Sequence, residues 1–200
     1  MDINNLTAKM SLEDGASPAK SRKREGCLKW EEFFMANAVL AAQRSKDPEC
    51  QVGACIVNSA KRIVGVGYNG MPNGCSDDIF EWKKDLKQLY VCHAEMNAIL
   101  NKNVIDVKGC DLYVTRFPCN ECAKVIIQSG ISTIYFLEDK HPERQMYVAA
   151  KKMFVAAGVA VRQFTTDRKE NIEIRLRISP KPQPEPQSES QPESQAGSTA

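Results

Sequence analysis

Two short stretches of this sequence carry side chains that can bind a metal ion and move protons. The first reads His-Ala-Glu at residues 93–95, and the second reads Pro-Cys-Asn-Glu-Cys at residues 118–122. Each stretch stands where the sequence pattern predicts that a strand or loop turns into a helix. Cys119 and Cys122 are three residues apart in a first helical turn, so their sulfurs share one face. The positive potential of a helix N-terminus favours the thiolate, which is the form that binds metal.

These residue types predict a catalytic zinc site. His93 and the two cysteines would offer three ligands, and a catalytic zinc keeps its fourth position for water. Glu95, two residues beyond His93, would lie near the metal without binding it. Zinc lowers the pKa of a bound water to about 7. Glu95 could accept that proton and deliver it to a ring nitrogen, after which hydroxide would add to the ring carbon. Glu95 would next protonate the departing amine, and this sequence is the chemistry of hydrolytic deamination.

Each motif taken alone has a plainer interpretation. A lone Cys-x-x-Cys is also typical of a redox pair or of half a zinc ribbon, and a lone His-x-Glu is typical of a helix surface. Cys92 could complete a structural zinc site, but neighbouring side chains on a helix point apart. The chain contains only 2 histidines, and one of them heads a predicted helix two residues before a glutamate. The joint occurrence of both motifs therefore favours the metal site.

The pattern of apolar residues predicts alternating strands and helices. Helices are predicted over 30–43, 93–102, 119–129 and 143–157, and strands over 52–58, 63–68, 112–115, 133–137 and 159–164. The first two strands would form an antiparallel hairpin, and Ile172–Ile178 would add a short edge strand. Strands separated by helices indicate mainly parallel pairing. We therefore expect an α/β fold, a three-layer α/β/α sandwich with a mixed five-stranded sheet. The long connection from Asn69 to about Tyr90 predicts a functional loop.

The chain divides into three predicted parts. Residues 1–26 would be a disordered basic N-terminal arm, 27–178 the folded zinc deaminase domain, and 179–200 a disordered tail rich in Pro, Gln and Ser. The basic residues Lys20, Arg22, Lys23 and Arg24 fit either a nuclear import signal or a solvated flexible arm.

Composition argues against several classes of protein. A net charge of +2 gives no strong field toward nucleic acid or an anionic membrane, and no run reaches the ~18 apolar residues of a membrane span. Residues 1–26 contain no apolar core of a secretory signal, so we expect a cytoplasmic protein with reduced thiols. The sequence assigns no function to the cysteines outside the second motif, and Cys55 is expected to act as a small hydrophobic residue. These cysteines are Cys27, Cys50, Cys55, Cys75, Cys92 and Cys110.

The two motifs together resemble the signature of the cytidine deaminase superfamily. Longer stretches are similar to its deoxycytidylate deaminases, over about residues 28–165. These stretches are 44–48, 51–58, 67–78, 92–95 and 117–124. The resemblance implies a cytidine deaminase-like fold and the conversion of dCMP and water to dUMP and ammonia, which supplies thymidylate synthesis. It also implies zinc on His93, Cys119 and Cys122, with Glu95 as the proton shuttle.

The resemblance has further implications for binding and regulation. Asn69 matches an asparagine that contacts the substrate sugar. Tyr68 and Gly70 belong to a loop between the substrate site and the effector site. Related enzymes are homo-oligomers, hexamers in animals, that are activated by dCTP and inhibited by dTTP. Mg²⁺ accompanying the nucleotide effector is left open as a second cofactor.

A nucleotide substrate also requires a site for its 5′-phosphate. Arg44 and Ser45 are our candidates, because Arg offers a two-pronged donor and Ser a hydroxyl, and Lys46 is a weaker candidate. The alternative is that these cations only compensate the dipole at the end of the first helix.

The chain departs from the family pattern at three places. The segment between Asp78 and Cys92 is short, Arg116 is an unexpected charge, and His141-Pro142 stands where Tyr-His is expected. Substrate preference could differ as a result. The alternatives are therefore a different cytosine nucleotide, cytosine in a polynucleotide, or a non-catalytic zinc-fold regulatory paralogue. An aromatic content of 7% disfavours the polynucleotide, and the presence of Glu95 disfavours the non-catalytic paralogue.

Overall fold

The structure is a computed structural model that describes residues 23–169 and 171–173. Within these residues, contacts separate a compact unit ending at Thr166 from a second unit beginning at Asp167. Lys20 and Arg22 of the predicted basic arm lie outside the described residues, as does the predicted tail. The predicted edge strand Ile172–Ile178 lies outside them as well, except for its first two residues.

The unit ending at Thr166 contains five helices and five strands in the described residues. The helices are α1 Trp30–Ala42, α2 Lys84–Lys87, α3 Ala94–Leu100, α4 Asn120–Gln128 and α5 Gln145–Ala157. The strands are β1 Gly53–Val57, β2 Ile63–Tyr68, β3 Asp111–Arg116, β4 Thr133–Glu138 and β5 Ala160–Gln163. The sequence-based prediction of these elements is confirmed except for α2, which lies inside the segment predicted as a long loop. In the described residues, no helix has the length and apolar content needed to span a bilayer.

The strands form one mixed sheet in the order β2-β1-β3-β4-β5. β1 pairs antiparallel with both β2 and β3, while β3-β4 and β4-β5 are parallel. The mixed five-stranded sheet is confirmed, although its pairing is evenly divided and not mainly parallel. The reason is that the hairpin reverses the chain after β1, and β3 then enters beside β1 running in the direction of β2.

Alternate residues of the central strands face opposite layers of helices. Ala54 and Ile56 of β1 belong to one core cluster together with residues of α3, α4 and α5. Cys55 and Val57 belong to a second cluster together with Phe34 and its neighbours on α1. Because all four β1 residues are almost fully buried, β1 is covered on both faces. The α/β/α sandwich expected from the sequence is confirmed.

Two glycines allow helices to approach the sheet more closely than any other residue would. A Cβ atom at Gly67 of β2 would lie 2.2 Å from the backbone nitrogen of Ala98 on α3. A Cβ atom at Gly53 of β1 would lie 1.9 Å from the carbonyl oxygen of Ala38 on α1. Gly67 therefore lets α3 pack directly against β2.

Candidate functional site

The first candidate metal ligand of each stretch occupies the N-cap position of a helix, His93 at α3 and Cys119 at α4. His93 precedes α3 with an extended backbone (φ −73°, ψ 157°), and Cys119 precedes α4 in a similar conformation (φ −74°, ψ 174°). α3 and α4 are neighbours in the same layer, because their apolar residues share one core cluster. Two helix starts that are 26 residues apart in sequence therefore meet in space.

The three predicted ligand atoms gather in one cluster. His93 Nδ1 lies 3.4 Å from Cys119 Sγ and 3.3 Å from Cys122 Sγ. All three ligand atoms lie within 4.8 Å of one another. We call His93, Cys119 and Cys122 the metal cluster. Cys92 does not belong to the cluster found among residues 23–169 and 171–173.

The metal cluster fits a zinc ion. Bonds of about 2.0–2.3 Å in a tetrahedral site place ligand atoms roughly 3.5 Å apart, close to the separations found here. One imidazole nitrogen and two thiols are donors that zinc favours over the oxygen ligands of magnesium or calcium. A zinc ion held by these three residues would keep its fourth position for a non-protein ligand.

Protonation of the metal cluster is strongly coupled. Hydrogen bonds from Cys122 and His93 lower the pKa of the Cys119 thiol to about 4. The bond to Cys119 raises the pKa of His93 to about 9. The pKa of Cys122 is raised, because its thiol donates to Cys119 and is buried. One thiolate therefore forms readily, and a bound cation would displace the protons that the other two groups hold.

Glu95 is a buried carboxyl group beside the metal cluster. Its side chain sits in the first turn of α3 and the residue is only 4% exposed. Burial raises the pKa of Glu95, while the neighbouring His93 opposes that rise. A raised pKa makes a carboxyl group a better proton acceptor than an ordinary carboxylate, which favours a role as general acid–base.

The segment predicted to bind substrate and effector is joined directly to the start of α3. Gly70 and Cys92 exchange two backbone hydrogen bonds of 3.1 and 2.9 Å. The side-chain amide of Asn97 on α3 donates to the carbonyl of Tyr68 at 2.8 Å. Residues 68–70 thus lie alongside the residue that precedes His93.

Asn69 is buried and hydrogen bonded to the loop that precedes β1. Its Oδ1 accepts from Val52 N at 2.8 Å, and its Nδ2 donates to the Cys50 carbonyl at 2.8 Å. Ser45 Oγ donates to the Asn69 carbonyl at 2.9 Å. The structure therefore brings Asn69 and Ser45 together, and their roles toward a substrate stay predictions.

The two predicted basic residues differ in their surroundings. Arg44 is exposed, and its guanidinium carbon lies 5.7 Å from the centre of the Tyr68 ring. Lys46 forms an ion pair with Asp77 instead. This cation–π contact places a predicted phosphate ligand beside a predicted effector residue.

A buried ion pair beside Asn69 was not predicted from the sequence. Lys87 Nζ lies 2.7 Å from Asp47 Oδ1, and the two residues are 7% and 4% exposed. Asp47 Oδ2 in turn accepts from Asn69 Nδ2 at 3.4 Å. We call Asp47, Lys87 and Asn69 the Asp47 network. No local pattern marks Lys87, since it follows other charged residues in a largely exposed segment.

One of the departures from the family pattern, Arg116, lines a pocket. Arg116 Nη1 donates to Cys50 Sγ at 2.8 Å, and both residues line a pocket of about 270 Å³ together with Lys140. His141 follows directly and is exposed, with Nδ1 3.9 Å from Glu143. The influence of these residues on substrate preference stays a prediction.

Comparisons with known proteins agree with the geometry. Residues 28–138 match the family model described as "Cytidine and deoxycytidylate deaminase zinc-binding region". The chain is 53% identical over 176 residues to the mouse (Mus musculus) protein named deoxycytidylate deaminase, covering 83% of this chain and 99% of that protein. It is 57% identical over 154 residues to the human (Homo sapiens) protein of the same name, covering 74% and 86%.

A solved structure shares the fold. The dCMP deaminase of cyanophage S-TIM5, determined in complex with dCMP and dUMP, superposes with a TM-score of 0.56 at 26% identity. The alignment covers 69% of this chain and 100% of the phage chain.

Proposed function

This chain belongs to the cytidine and deoxycytidylate deaminase family, and we propose that it catalyses the zinc-dependent hydrolytic deamination of dCMP to dUMP and ammonia. The observation that supports this most directly is the metal cluster with buried Glu95 beside it. The enzymes that the chain matches at 53–57% identity carry the name of that reaction.

His93, Cys119 and Cys122 would hold the zinc ion, and its charge would polarise water and lower the pKa of that water to about 7. Glu95 accepts a proton from the attacking water and delivers it to the ring nitrogen beside the reacting carbon. Glu95 then takes the second proton from the hydroxyl group now on the ring carbon and gives it to the amine, which leaves as ammonia while the carbonyl forms. One carboxyl group serves both steps, so its raised pKa suits it to alternate between acid and base. Its burial would keep bulk water from competing for that proton.

The remaining roles extend the same proposal to binding and regulation. Asn69 would contact the deoxyribose, and Arg44 with Ser45 would bind the 5′-phosphate. Tyr68 and Gly70 would respond to dCTP as activator and dTTP as inhibitor, with Mg²⁺ accompanying the effector. The cation–π contact of Arg44 with Tyr68 supports communication between these two sites. A homo-oligomer, specifically a hexamer, in the cytoplasm would supply dUMP for thymidylate synthesis.

Ammonia release from dCMP, deoxycytidine and dCTP, measured side by side, tests the proposal. Turnover of dCMP alone, increased by dCTP as activator and abolished in Glu95→Gln, is the expected result. Turnover of deoxycytidine at the rate of dCMP would contradict a phosphate requirement. No turnover of any of the three by zinc-loaded protein would overturn the nucleotide assignment.

A further inference from the structure

Asp47 is a buried carboxylate that organises the turn before β1. Its Oδ1 accepts from the backbone nitrogens of Glu49 at 2.9 Å and Cys50 at 3.1 Å, and from Lys87 Nζ at 2.7 Å. Its Oδ2 accepts from Asn69 Nδ2. A buried charge is tolerated only when it is paired and hydrogen bonded. Lys87 is the cation that the described residues bring to this carboxylate.

The same hydrogen bonds fix the orientation of the Asn69 amide. Both Nδ2 hydrogens are directed at acceptors, the Cys50 carbonyl and Asp47, while Oδ1 faces the Val52 amide. A flipped amide would set Oδ1 against two oxygens and Nδ2 against an N–H donor. Asn69 therefore has one favourable orientation, and Asp47 is one of the groups that select it.

Lys87 connects this turn to a distant segment of the chain. It lies on α2, between Gly70 and Cys92, whose backbone bridge holds the two ends of the segment together. Lys87 Nζ also contacts Glu49 Oε2 at 3.0 Å. Burial alone would lower the pKa of Lys87, but the bonds to Asp47 and Glu49 outweigh burial and raise it. Lys87 is thus charged and holds the segment against the turn at residues 47–50.

We propose that Lys87 is a positioning residue for substrate binding: its buried ion pair with Asp47 fixes the Asn69 amide so that Oδ1, which accepts from Val52 N with one lone pair, offers its second lone pair to the nucleotide. The proposal rests on the proposed function, since it assumes that Asn69 contacts the substrate. Lys87 lies 40 positions from Asp47 in sequence. Its side-chain hydrogen bonds in the described residues go to Asp47 and Glu49, and none goes to the metal cluster or Glu95. Lys87 acts through Asn69.

Steady-state kinetics of Lys87→Met with dCMP test this role. Loss of a contact made equally in the ground state and the transition state raises KM and leaves kcat nearly unchanged. We expect KM to rise roughly tenfold, which corresponds to the loss of about one hydrogen bond to the substrate. We expect kcat to stay within about threefold of the parent value. Lys87→Arg keeps the ion pair and should restore much of the affinity. Lys83→Met is the matched control, because Lys83 pairs with Glu81 on the exposed surface of the same segment.

A double-mutant cycle separates action through Asn69 from a general structural role. In an Asn69→Ala background, Lys87→Met should change KM by less than about twofold, because the group it positions is gone. A full tenfold rise in that background would overturn the proposal. A parent-like KM in folded, zinc-loaded Lys87→Met would overturn it as well.

Two further measurements keep the test decisive. If Lys87→Met does not fold, the double variant Lys87→Met with Asp47→Asn leaves no unpaired buried charge, and a parent-like KM in it would refute the role of the ion pair.

Hydrogen exchange of residues 45–52 and 69–70 should be faster in Lys87→Met than in Lys83→Met. This readout needs no turnover, so inactivity of the parent toward dCMP would reject the proposed function alone. Unchanged exchange would reject the positioning role alone.

Discussion

The metal cluster and the Asp47 network are linked by the Gly70–Cys92 bridge, since Asn69 precedes Gly70 and His93 follows Cys92, and they use charge in different ways. In the Asp47 network, one carboxylate accepts hydrogen bonds from two backbone amides, an amide side chain and an ammonium group. In the metal cluster, three titratable groups share protons and shift one another's pKa values. The Asp47 network therefore fixes the positions of side chains, whereas the metal cluster is suited to bind a cation and exchange protons. Changes to the two regions should therefore alter different observables.

Glu95→Gln should give the largest effect on rate. The amide preserves the size of the buried side chain but cannot transfer a proton, so kcat should fall by about 10²–10⁴-fold or more. Zinc content and Tm should stay near those of the parent protein, as measured by metal analysis and thermal unfolding. Glu121→Gln, an exposed residue of the α4 first turn paired with Lys124, is the matched control. A kcat within tenfold of the parent would remove Glu95 from the mechanism.

Zinc removal should affect stability and turnover together. A ligand present at a thousandfold excess over its Kd stabilises the folded state by about 4 kcal/mol. Chelation should then lower Tm by roughly 10 °C and abolish ammonia release, and added zinc should restore both. Cys119→Ser should lose this response, whereas Cys75→Ser should keep it. A Tm that does not change in demonstrably zinc-free protein would contradict a folding role of the metal cluster.

Gly67→Ala tests the backbone contact that lies between the two regions. The added Cβ would meet the Ala98 nitrogen and Ala94 carbonyl oxygen at 2.2 and 2.3 Å, so α3 must shift away from β2. We expect a loss of about 1–3 kcal/mol in the free energy of unfolding, measured with urea. Gly70→Ala is the control, because its Cβ would come no closer than 3.7 Å to the Tyr68 ring. Equal stability of the two variants would argue against the close packing of α3 on β2.

The smallest predicted effect is the alkaline dependence of the Lys87 ion pair. The pKa of Lys87 is raised above its ordinary value of 10.5, despite the opposing effect of burial. Its contribution to stability is therefore complete below pH 10.5 and is lost as the pH rises through the folded-state pKa. The Tm difference between the parent and Lys87→Met should stay constant from about pH 7 to 9 and narrow above about pH 10.5. A difference that closes near neutral pH would indicate another titrating group.

The parts of the molecule that were predicted depend on short-range patterns. The strands and four of the helices follow from apolar periodicity, and Gly158 ends α5 with a positive φ of 70°. The metal-ligand residues could be recognised in the sequence because each motif lies at the start of a predicted helix. His93 stands two residues before Glu95, and Cys119 follows Pro118 and lies three residues before Cys122. Cys119 and Cys122 meet simply because they belong to one helical turn.

The parts that were missed depend on contacts between distant segments. Lys87 resembles its exposed neighbours in sequence, and only its pairing with Asp47 distinguishes it. The helix α2 was missed because four residues give no periodic signal. The position of β3 beside β1 also depends on packing, since β2, α2 and α3 separate the two strands in sequence.

By itself, the sequence determined the residue types at the two helix starts, the alternation of strands and helices, and therefore the class of chemistry. These properties are local, because helical and strand periods and metal-ligand spacing are set within a few residues. Only the tertiary structure decided that His93 lies beside the two cysteines and that Gly67 lets α3 pack against β2. It also decided that Lys87 pairs with Asp47 beside Asn69. Such contacts join segments tens of residues apart, and packing of the helices on both faces of the sheet selects them.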